Sequence, residues 1–302
     1  MMKTVRDWLA TCERALAEAG LHFGHGTDNA HDESAWLVLH VLGVPLDGSF
    51  SAWDAPVSAA EAGEIQRLLD ARIQQRKPLA YLLGQAWFCG LPFEVDESVL
   101  VPRSPIGELI QSGFSPWVQP RQVHRVLDLC TGSGCIAIAT ALHLDHATVD
   151  AVDISDQALE VAQRNVDAHG VGDRVRLWRS DLFNDLGSQR WDLIVSNPPY
   201  VSAAEMERFP GEYRWEPALG FHARDEGLEL VLRILRESAK HLQEQGVLIC
   251  EVGEAAGRLE ARLPQWPLTW IEFEHGGEGV FTIDRSKLED AAARSALGGS
   301  SC

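Results

Sequence analysis

From residue 123 onward, apolar runs of strand length alternate with amphipathic segments of helix length, and this alternation constrains the fold more than any other feature of the chain. Strands are predicted at residues 125–130, 148–152, 175–179, 193–196, 247–251, 268–273 and 280–283, and helices at 135–144, 156–169 and 226–243. Such an order is typical of an α/β fold with a doubly wound, mostly parallel sheet. The last two strands have no helix between them, which predicts an antiparallel edge.

The first 85 residues show helical patterns instead. Thr4, Asp32 and Ser58 each stand where an N-cap is expected, and Ser58 has capping-box spacing to Glu61. Apolar residues around two turn-like clusters in 86–102 predict a β-hairpin. We therefore predict a helical substrate-recognition domain over 1–85, a hairpin linker over 86–102, an α/β domain over 103–285 and a flexible tail over 286–302.

Charge and cysteine usage restrict the class of partner. The formal net charge is −18, which disfavours a partner held through phosphates and therefore direct recognition of nucleic acid. It favours a basic partner. The six cysteines form no Cys-x-x-Cys motif, so we expect neither a metal site nor a disulfide framework, and a reducing cytoplasm is the simplest location. The longest apolar stretch, residues 135–142, falls short of the roughly 18 residues of a membrane span.

The first strand of the α/β region runs into a glycine turn, Asp128-Leu-Cys-Thr-Gly-Ser-Gly134. Gly132 and Gly134 allow a ligand to approach the backbone in front of a helix N-terminus. Taken alone, the turn also fits a variant dinucleotide fingerprint. Asp128 favours S-adenosylmethionine, because a pyrophosphate would face an uncompensated carboxylate whereas the methionine ammonium could pair with it.

Two further acidic residues follow strands at positions that suit this cofactor. Asp153 stands 21 residues after Gly132, where a carboxylate can accept hydrogen bonds from ribose hydroxyls, although it could also cap the next helix. Asp181 could accept from the adenine amino group, with Leu182 or Phe183 against the ring.

The fourth strand ends in Asn197-Pro198-Pro199-Tyr200. The prolines lack N–H groups and fix φ, so the backbone is rigid and its carbonyls are free to accept. The Asn197 oxygen and the Pro198 carbonyl could together accept both N–H groups of a planar amide or aromatic amine, and Tyr200 adds a flat apolar face. Fixing both N–H groups would aim the nitrogen at a sulfonium methyl and stabilise the developing charge.

These motifs resemble those of class I methyltransferases that modify planar nitrogens. With the N-terminal helices, the hairpin and the segment Pro78 to Gly84, residues 1–285 are similar to the bacterial protein-glutamine methyltransferase family. Residues 100–109 are similar to the branch that acts on large-subunit ribosomal protein L-three. The resemblance implies a seven-stranded sheet. It also implies a cofactor site at Cys130, Thr131, Gly132, Ser133, Gly134, Asp153, Leu182 and Asn197 and a glutamine site at Asn197, Pro198, Pro199 and Tyr200.

Three alternatives stay open from the sequence: a glutamine methyltransferase of release factors, an adenine amino-methyltransferase acting on nucleic acid, and a non-enzymatic interaction module. Under the hypothesis of a ribosomal target, the predicted partner is a basic ribosomal protein. Residues 201–229, which follow the Asn-Pro-Pro-Tyr turn, hold seven acidic and three basic residues. We expect them to form an acidic lid that steers such a partner to the site.

Overall fold

The computed structural model describes residues 3–46, 48–274 and 276–298. The N-terminal part comprises α1 (Val5–Glu18), α2 (Ala30–Val41), α3 (Ala59–Gln75) and α4 (Leu79–Leu83), followed by the hairpin strands β1 (Gln85–Phe88) and β2 (Leu91–Glu94). The remainder comprises α5 (Ile106–Gln111), β3 (Arg125–Leu129), α6 (Cys135–His143), β4 (Thr148–Asp153), α7 (Asp156–His169), β5 (Val175–Arg179), β6 (Trp191–Ser196), α8 (Ala203–Met206), α9 (Ala218–Phe221), α10 (Glu229–His241), β7 (Leu242–Glu251), α11 (Ala256–Arg262), β8 (Thr269–Trp270), β9 (Val280–Asp284) and α12 (Arg285–Gly298).

Side-chain caps define where the N-terminal helices begin. Thr4 and Ser58 each form the capping box that their sequences predict. The predicted cap of α2 at Asp32 is wrong: Asn29 is the N-cap, and its side-chain oxygen accepts from the Asp32 N–H. Asn29 lies one position before the first helical residue, where its oxygen reaches the exposed N–H groups of the first turn.

The main sheet has seven strands in the order β5-β4-β3-β6-β7-β9-β8. Strands β3 to β7 are parallel, whereas β9 pairs antiparallel with both β7 and β8. The predicted doubly wound sheet and its antiparallel edge are therefore confirmed. Strand order reverses between β3 and β6, and ligands of open α/β sheets bind outside the carboxyl ends of the strands at such a point.

The C-terminal segment differs from its expectation. The sequence predicts a flexible tail over 286–302; Arg285–Gly298 forms a helix that continues directly from β9, and residues 299–302 lie outside the described residues. Leu288 and Ala291 are buried, because their three-residue spacing places them on one helix face, and Leu288 packs into the core beside α10 and β7. In the described part of the chain, no helix is long and apolar enough to span a membrane.

Candidate active site

A cavity of about 370 Å³ opens at the carboxyl ends of the parallel strands. This volume suits a small-molecule cofactor. Its lining includes most of the predicted site residues: Cys130, Thr131, Gly132, Ser133, Asp153, Asp181, Leu182, Asn197, Pro198, Pro199 and Tyr200. The other two predicted residues, Asp128 and Gly134, do not line it. Sequence reasoning missed Pro102, Arg103, Ser104, Ile154, Phe221 and Glu251, which do.

The glycine turn has the shape that a bound ligand requires. Cys130 and Gly132 adopt positive φ angles of 61° and 55°, and Gly134 is the N-cap of α6. A Cβ at Gly132 would meet no atom within 4 Å, so the open side of the turn faces free space. Cys130 lines the cavity in this left-handed conformation, which non-glycine residues adopt at some cost.

Asp128 lies beneath the turn and is 1% exposed. Its Oδ2 accepts from the Thr131 hydroxyl at 2.5 Å, while its Oδ1 has no partner among the described residues. Burial, reinforced by the nearby Asp153 carboxylate, raises the pKa of Asp128 to about 7. A buried carboxyl with an unpartnered oxygen fits an ammonium-bearing cofactor and disfavours a phosphate.

Asp153 ends β4 and is not the cap of the next helix, because the N-cap of α7 is Ser155. Its carboxylate accepts from the Gly132 N–H and from the Ser155 N–H, each at 2.9 Å. The side chain therefore braces the glycine turn and the start of α7 while it lines the cavity. Burial raises the pKa of Asp153. The oxygens retain acceptor capacity for hydroxyl donors of a ligand.

Asp181 lines the same cavity after β5 but already has a cationic partner. Arg233 of α10 donates to its Oδ1 at 2.9 Å. The neighbouring Leu182, also at positive φ, is buried and lines the cavity. An adenine ring would therefore meet an apolar wall beside a carboxylate that Arg233 holds in place.

The Asn-Pro-Pro-Tyr turn lines the same cavity. It leaves β6 after Ser196, whose hydroxyl donates to the Leu129 carbonyl of β3 at 2.9 Å. This contact joins the ends of the two central strands, which carry the glycine turn and the Asn-Pro-Pro-Tyr turn respectively. The structure thus brings both motifs, far apart in sequence, to one space.

Residues 201–228, here named the cover segment, lie over the cavity, and Pro217, Leu219 and Phe221 contribute to its lining. Glu216 fixes this segment from within. Its side chain is fully buried, accepts from both Arg103 guanidinium nitrogens at 2.7 and 2.8 Å and from the Val101 N–H at 3.0 Å, and lies 3.2 Å from His25 Nε2. Burial alone would raise the pKa of Glu216, but Arg103 and His25 lower it to about 2.

A second buried carboxylate ties the cover segment to the N-terminal helices. Glu212 accepts from Arg76 at 2.7 Å and from the His22 N–H at 2.9 Å, and it lies 3.6 Å from Arg72. The prediction that this segment forms an acidic lid is therefore wrong for two of its residues, because the carboxylates of Glu212 and Glu216 face inward.

Glu205 is also engaged. It caps α8 through Ser202 and pairs with Arg258 at 2.7 Å. Much of the acidity of the cover segment is therefore used for folding and is not displayed to a partner.

Comparisons with known proteins agree with this geometry. A model of the methyltransferase small domain matches residues 116–209, and a model of the PrmC N-terminal domain matches residues 7–84. A crystal structure of the hMettl16 catalytic domain in complex with hairpin 1 of the MAT2A 3'UTR is similar over 82% of this chain and 88% of that one. Its TM-score is 0.50 at 19% identity, so it shows the fold alone. The fold and the cavity define a class I S-adenosylmethionine-dependent methyltransferase.

Curated relatives narrow the class to a family. A ribosomal protein uL3 glutamine methyltransferase of Xanthomonas campestris pv. campestris is 48% identical over 293 residues, which are 97% of this chain and 95% of the relative. A protein of the same name from Xylella fastidiosa is 47% identical over 287 residues, 95% of this chain and 92% of its own. The chain belongs to the family of the ribosomal protein uL3 glutamine methyltransferases.

Proposed function

We propose that the enzyme transfers a methyl group from S-adenosylmethionine to the side-chain amide nitrogen of a glutamine in ribosomal protein uL3. The proposal rests on the observation that one cavity is lined both by the glycine turn with Asp153 and by Asn197–Tyr200. A cofactor at one end and a planar amide at the other would share this space. The names of the two relatives support uL3 as the substrate.

The residues suit a nitrogen whose lone pair is delocalised. Bound S-adenosylmethionine supplies an electrophilic methyl group on its sulfonium. Asn197 and the Pro198 carbonyl would accept the two N–H groups of the glutamine amide, and the proline-locked backbone would keep both acceptors in place. The nitrogen would then be aimed at the methyl group before reaction, which lowers the entropic part of the barrier. As the nitrogen–methyl bond forms, the bond between the methyl carbon and the sulfonium would break with its electron pair left on sulfur, and one amide proton would pass from the nitrogen to water.

The cofactor would be held by residues of the glycine turn and by residues at the ends of β4 and β5. Asp128 and Thr131 would stabilise the methionine ammonium, Asp153 would accept from ribose hydroxyls, and Leu182 and Ile154 would contact the adenine. All but Asp128 line the cavity, and Asp128 lies directly under Thr131.

Two further assignments concern the N-terminal helices and the protein substrate. We assign substrate recognition to residues 1–85, because loop residues 22–25 and helix α3 contact the cover segment through His22, His25 and Arg72. A basic ribosomal protein, free or within an assembling subunit, complements the net charge of −18. The five described cysteines are free thiols, which suits a cytoplasmic location.

The proposal is tested with purified enzyme, S-adenosylmethionine and three substrates: uL3, a peptide release factor and an adenine-containing DNA duplex. We expect mass spectrometry to find one added methyl group on a glutamine of uL3. Methylation of the release factor or of adenine in preference to uL3 would replace the proposal by the corresponding alternative.

Asn197→Ala is the matched loss-of-function variant. We expect its turnover to fall about 100- to 1000-fold, because one preorganised acceptor for the amide N–H groups is lost. Its affinity for S-adenosylmethionine, measured by calorimetry, should stay close to that of the native enzyme. Native turnover at saturating uL3 would show that Asn197 does not orient the amide.

A further inference from the structure

Tyr200 is confined by three residues from two separate parts of the chain. Its hydroxyl donates to Glu251 Oε1 at 3.0 Å. A Cβ on Gly253 would lie 2.7 Å from the Tyr200 ring, and a Cβ on Gly227 would lie 2.1 Å from the Tyr200 carbonyl oxygen. The two glycines, both at positive φ, therefore allow a packing around Tyr200 that no other residue type would permit.

Glu251 reaches Tyr200 from the end of the neighbouring strand. In the register of β6 and β7, Ser196 lies opposite Cys250, so Glu251 is next to Asn197 at the same edge. Glu251 is 5% exposed and lines the cavity. Its second oxygen accepts from the Ser104 hydroxyl at 2.5 Å, and Ser104 in turn accepts from the N–H of Ile106 at the start of α5.

The Glu251 carboxylate accepts hydrogen bonds from two hydroxyl groups, those of Ser104 and Tyr200. Within the described residues, no ion pair involves this carboxylate. Burial raises the pKa of Glu251, while the Ser104 and Tyr200 hydroxyls and the more distant Arg103 lower it. Burial beside Glu251 also raises the pKa of Tyr200, so its phenol stays protonated and serves as donor. A charge-assisted hydrogen bond of this kind is stronger and more directional than one between neutral groups.

We propose that Glu251 is a positioning residue for methyl transfer: it fixes the Tyr200 ring against the target amide, and Ser104 fixes Glu251. The inference rests on the proposed function, because the glutamine amide is the group that the Tyr200 ring would face. Glu251 acts through the Tyr200 hydroxyl, which donates to its carboxylate. Loss of its charge loosens the ring, and a reacting pair displaced by a fraction of an ångström loses rate steeply.

The test uses the full-length enzyme with S-adenosylmethionine and uL3. Glu251→Gln keeps the size of the side chain but removes its charge and one acceptor. We expect kcat to fall about 10- to 100-fold, while the dissociation constant of S-adenosylmethionine changes less than about 3-fold. Glu254→Gln is the matched control, since Glu254 is exposed and lies three residues further on. It should retain native kcat.

A double-mutant cycle with Tyr200→Phe separates positioning from a merely structural role. If Glu251 acts through the Tyr200 hydroxyl, E251Q costs less than about 3-fold in kcat when Y200F is already present. Losses that multiply would overturn the proposal, because Glu251 would then act on the substrate or the fold independently of Tyr200. Native kcat in E251Q would overturn it as well.

Two further experimental outcomes have defined consequences for the proposal. Should E251Q no longer bind S-adenosylmethionine, Ser104→Ala takes its place in the same cycle, and an S104A loss of kcat that persists in the presence of Y200F overturns the proposal. Absence of uL3 methylation by the native enzyme is a different result, since it refutes the proposed function before any variant is compared.

Discussion

Asp128 illustrates how one buried side chain can oppose stability while serving ligand binding. Its pKa in the folded state is about 7, whereas an unfolded aspartate titrates near 3.9. The folded protein therefore binds the proton more tightly than the unfolded chain. Between about pH 4 and pH 7, the contribution of Asp128 to the free energy of unfolding decreases as pH rises.

We expect Asp128→Asn, without cofactor, to be more stable than the native enzyme at about pH 8, with a smaller difference at about pH 5. The same substitution should weaken S-adenosylmethionine binding by roughly 1–3 kcal/mol, because the ammonium loses its carboxylate. Urea unfolding at both pH values and calorimetry measure these effects, and the exposed Asp173→Asn is the control. An identical pH dependence in D128N and native enzyme would show that Asp128 is ionised without penalty.

Residues that follow strands could be found from sequence, whereas residues that meet across the fold could not. Asp153 and Asn197 each end a recognisable strand, so their common edge follows from the parallel topology. Ser104 and Glu251 are 147 positions apart, and Glu216 meets Arg103 across 113 positions. Glu216 has the sequence context of an ordinary surface residue, and although Glu251 ends a predicted strand, only the fold reveals the partner of either carboxylate.

At the scale of elements, the cover segment was the least predictable part of the chain. It consists of two four-residue helices, α8 and α9, two short 3-10 helices (Gly211–Trp215 and Asp225–Gly227) and irregular backbone, so no hydrophobic period defines it. Its conformation depends on ion pairs with distant residues. The opposite holds for the inner parallel strands β3, β4 and β6, whose predicted bounds match the observed elements to within two residues because most of their residues are buried.

The Glu216 contacts predict a large effect on stability. We expect Glu216→Gln to lower the free energy of unfolding at neutral pH by about 3–5 kcal/mol, because Arg103 and His25 would lose their shared buried carboxylate. Since the folded pKa of Glu216 is about 2, its stabilisation is present above about pH 4.5 and is lost as pH falls towards 2. Chemical denaturation across this range measures the effect.

The exposed Glu207→Gln, in the same segment, provides the comparison and should change stability by less than about 0.5 kcal/mol. Equal stability of E216Q and the native enzyme would mean that the cover segment is held by apolar packing and that its ion pairs contribute nothing.

At the scale of the whole molecule, we expect the formal net charge of −18 to attract a basic partner more strongly than the acidic residues of the cover segment do. We expect the association rate with free uL3 to fall as ionic strength rises, because attraction between an acidic enzyme and a basic protein is screened within about 8–10 Å at physiological salt. Stopped-flow fluorescence over a salt series measures this. The methyl-transfer rate at saturating uL3 should stay constant in that series, and a flat association rate would rule out electrostatic steering.

The anchoring of the cover segment limits how the chain can be divided. Four of its partners, His22, His25, Arg72 and Arg76, belong to the N-terminal helices and their loops. A fragment that starts at the hairpin would keep both cofactor and amide motifs, yet Glu212 would lose its partners and Glu216 would lose His25. In a chimaera between two relatives, the N-terminal helices and residues 201–228 must consequently come from the same parent. The catalytic unit is defined by these contacts and does not coincide with a single stretch of sequence.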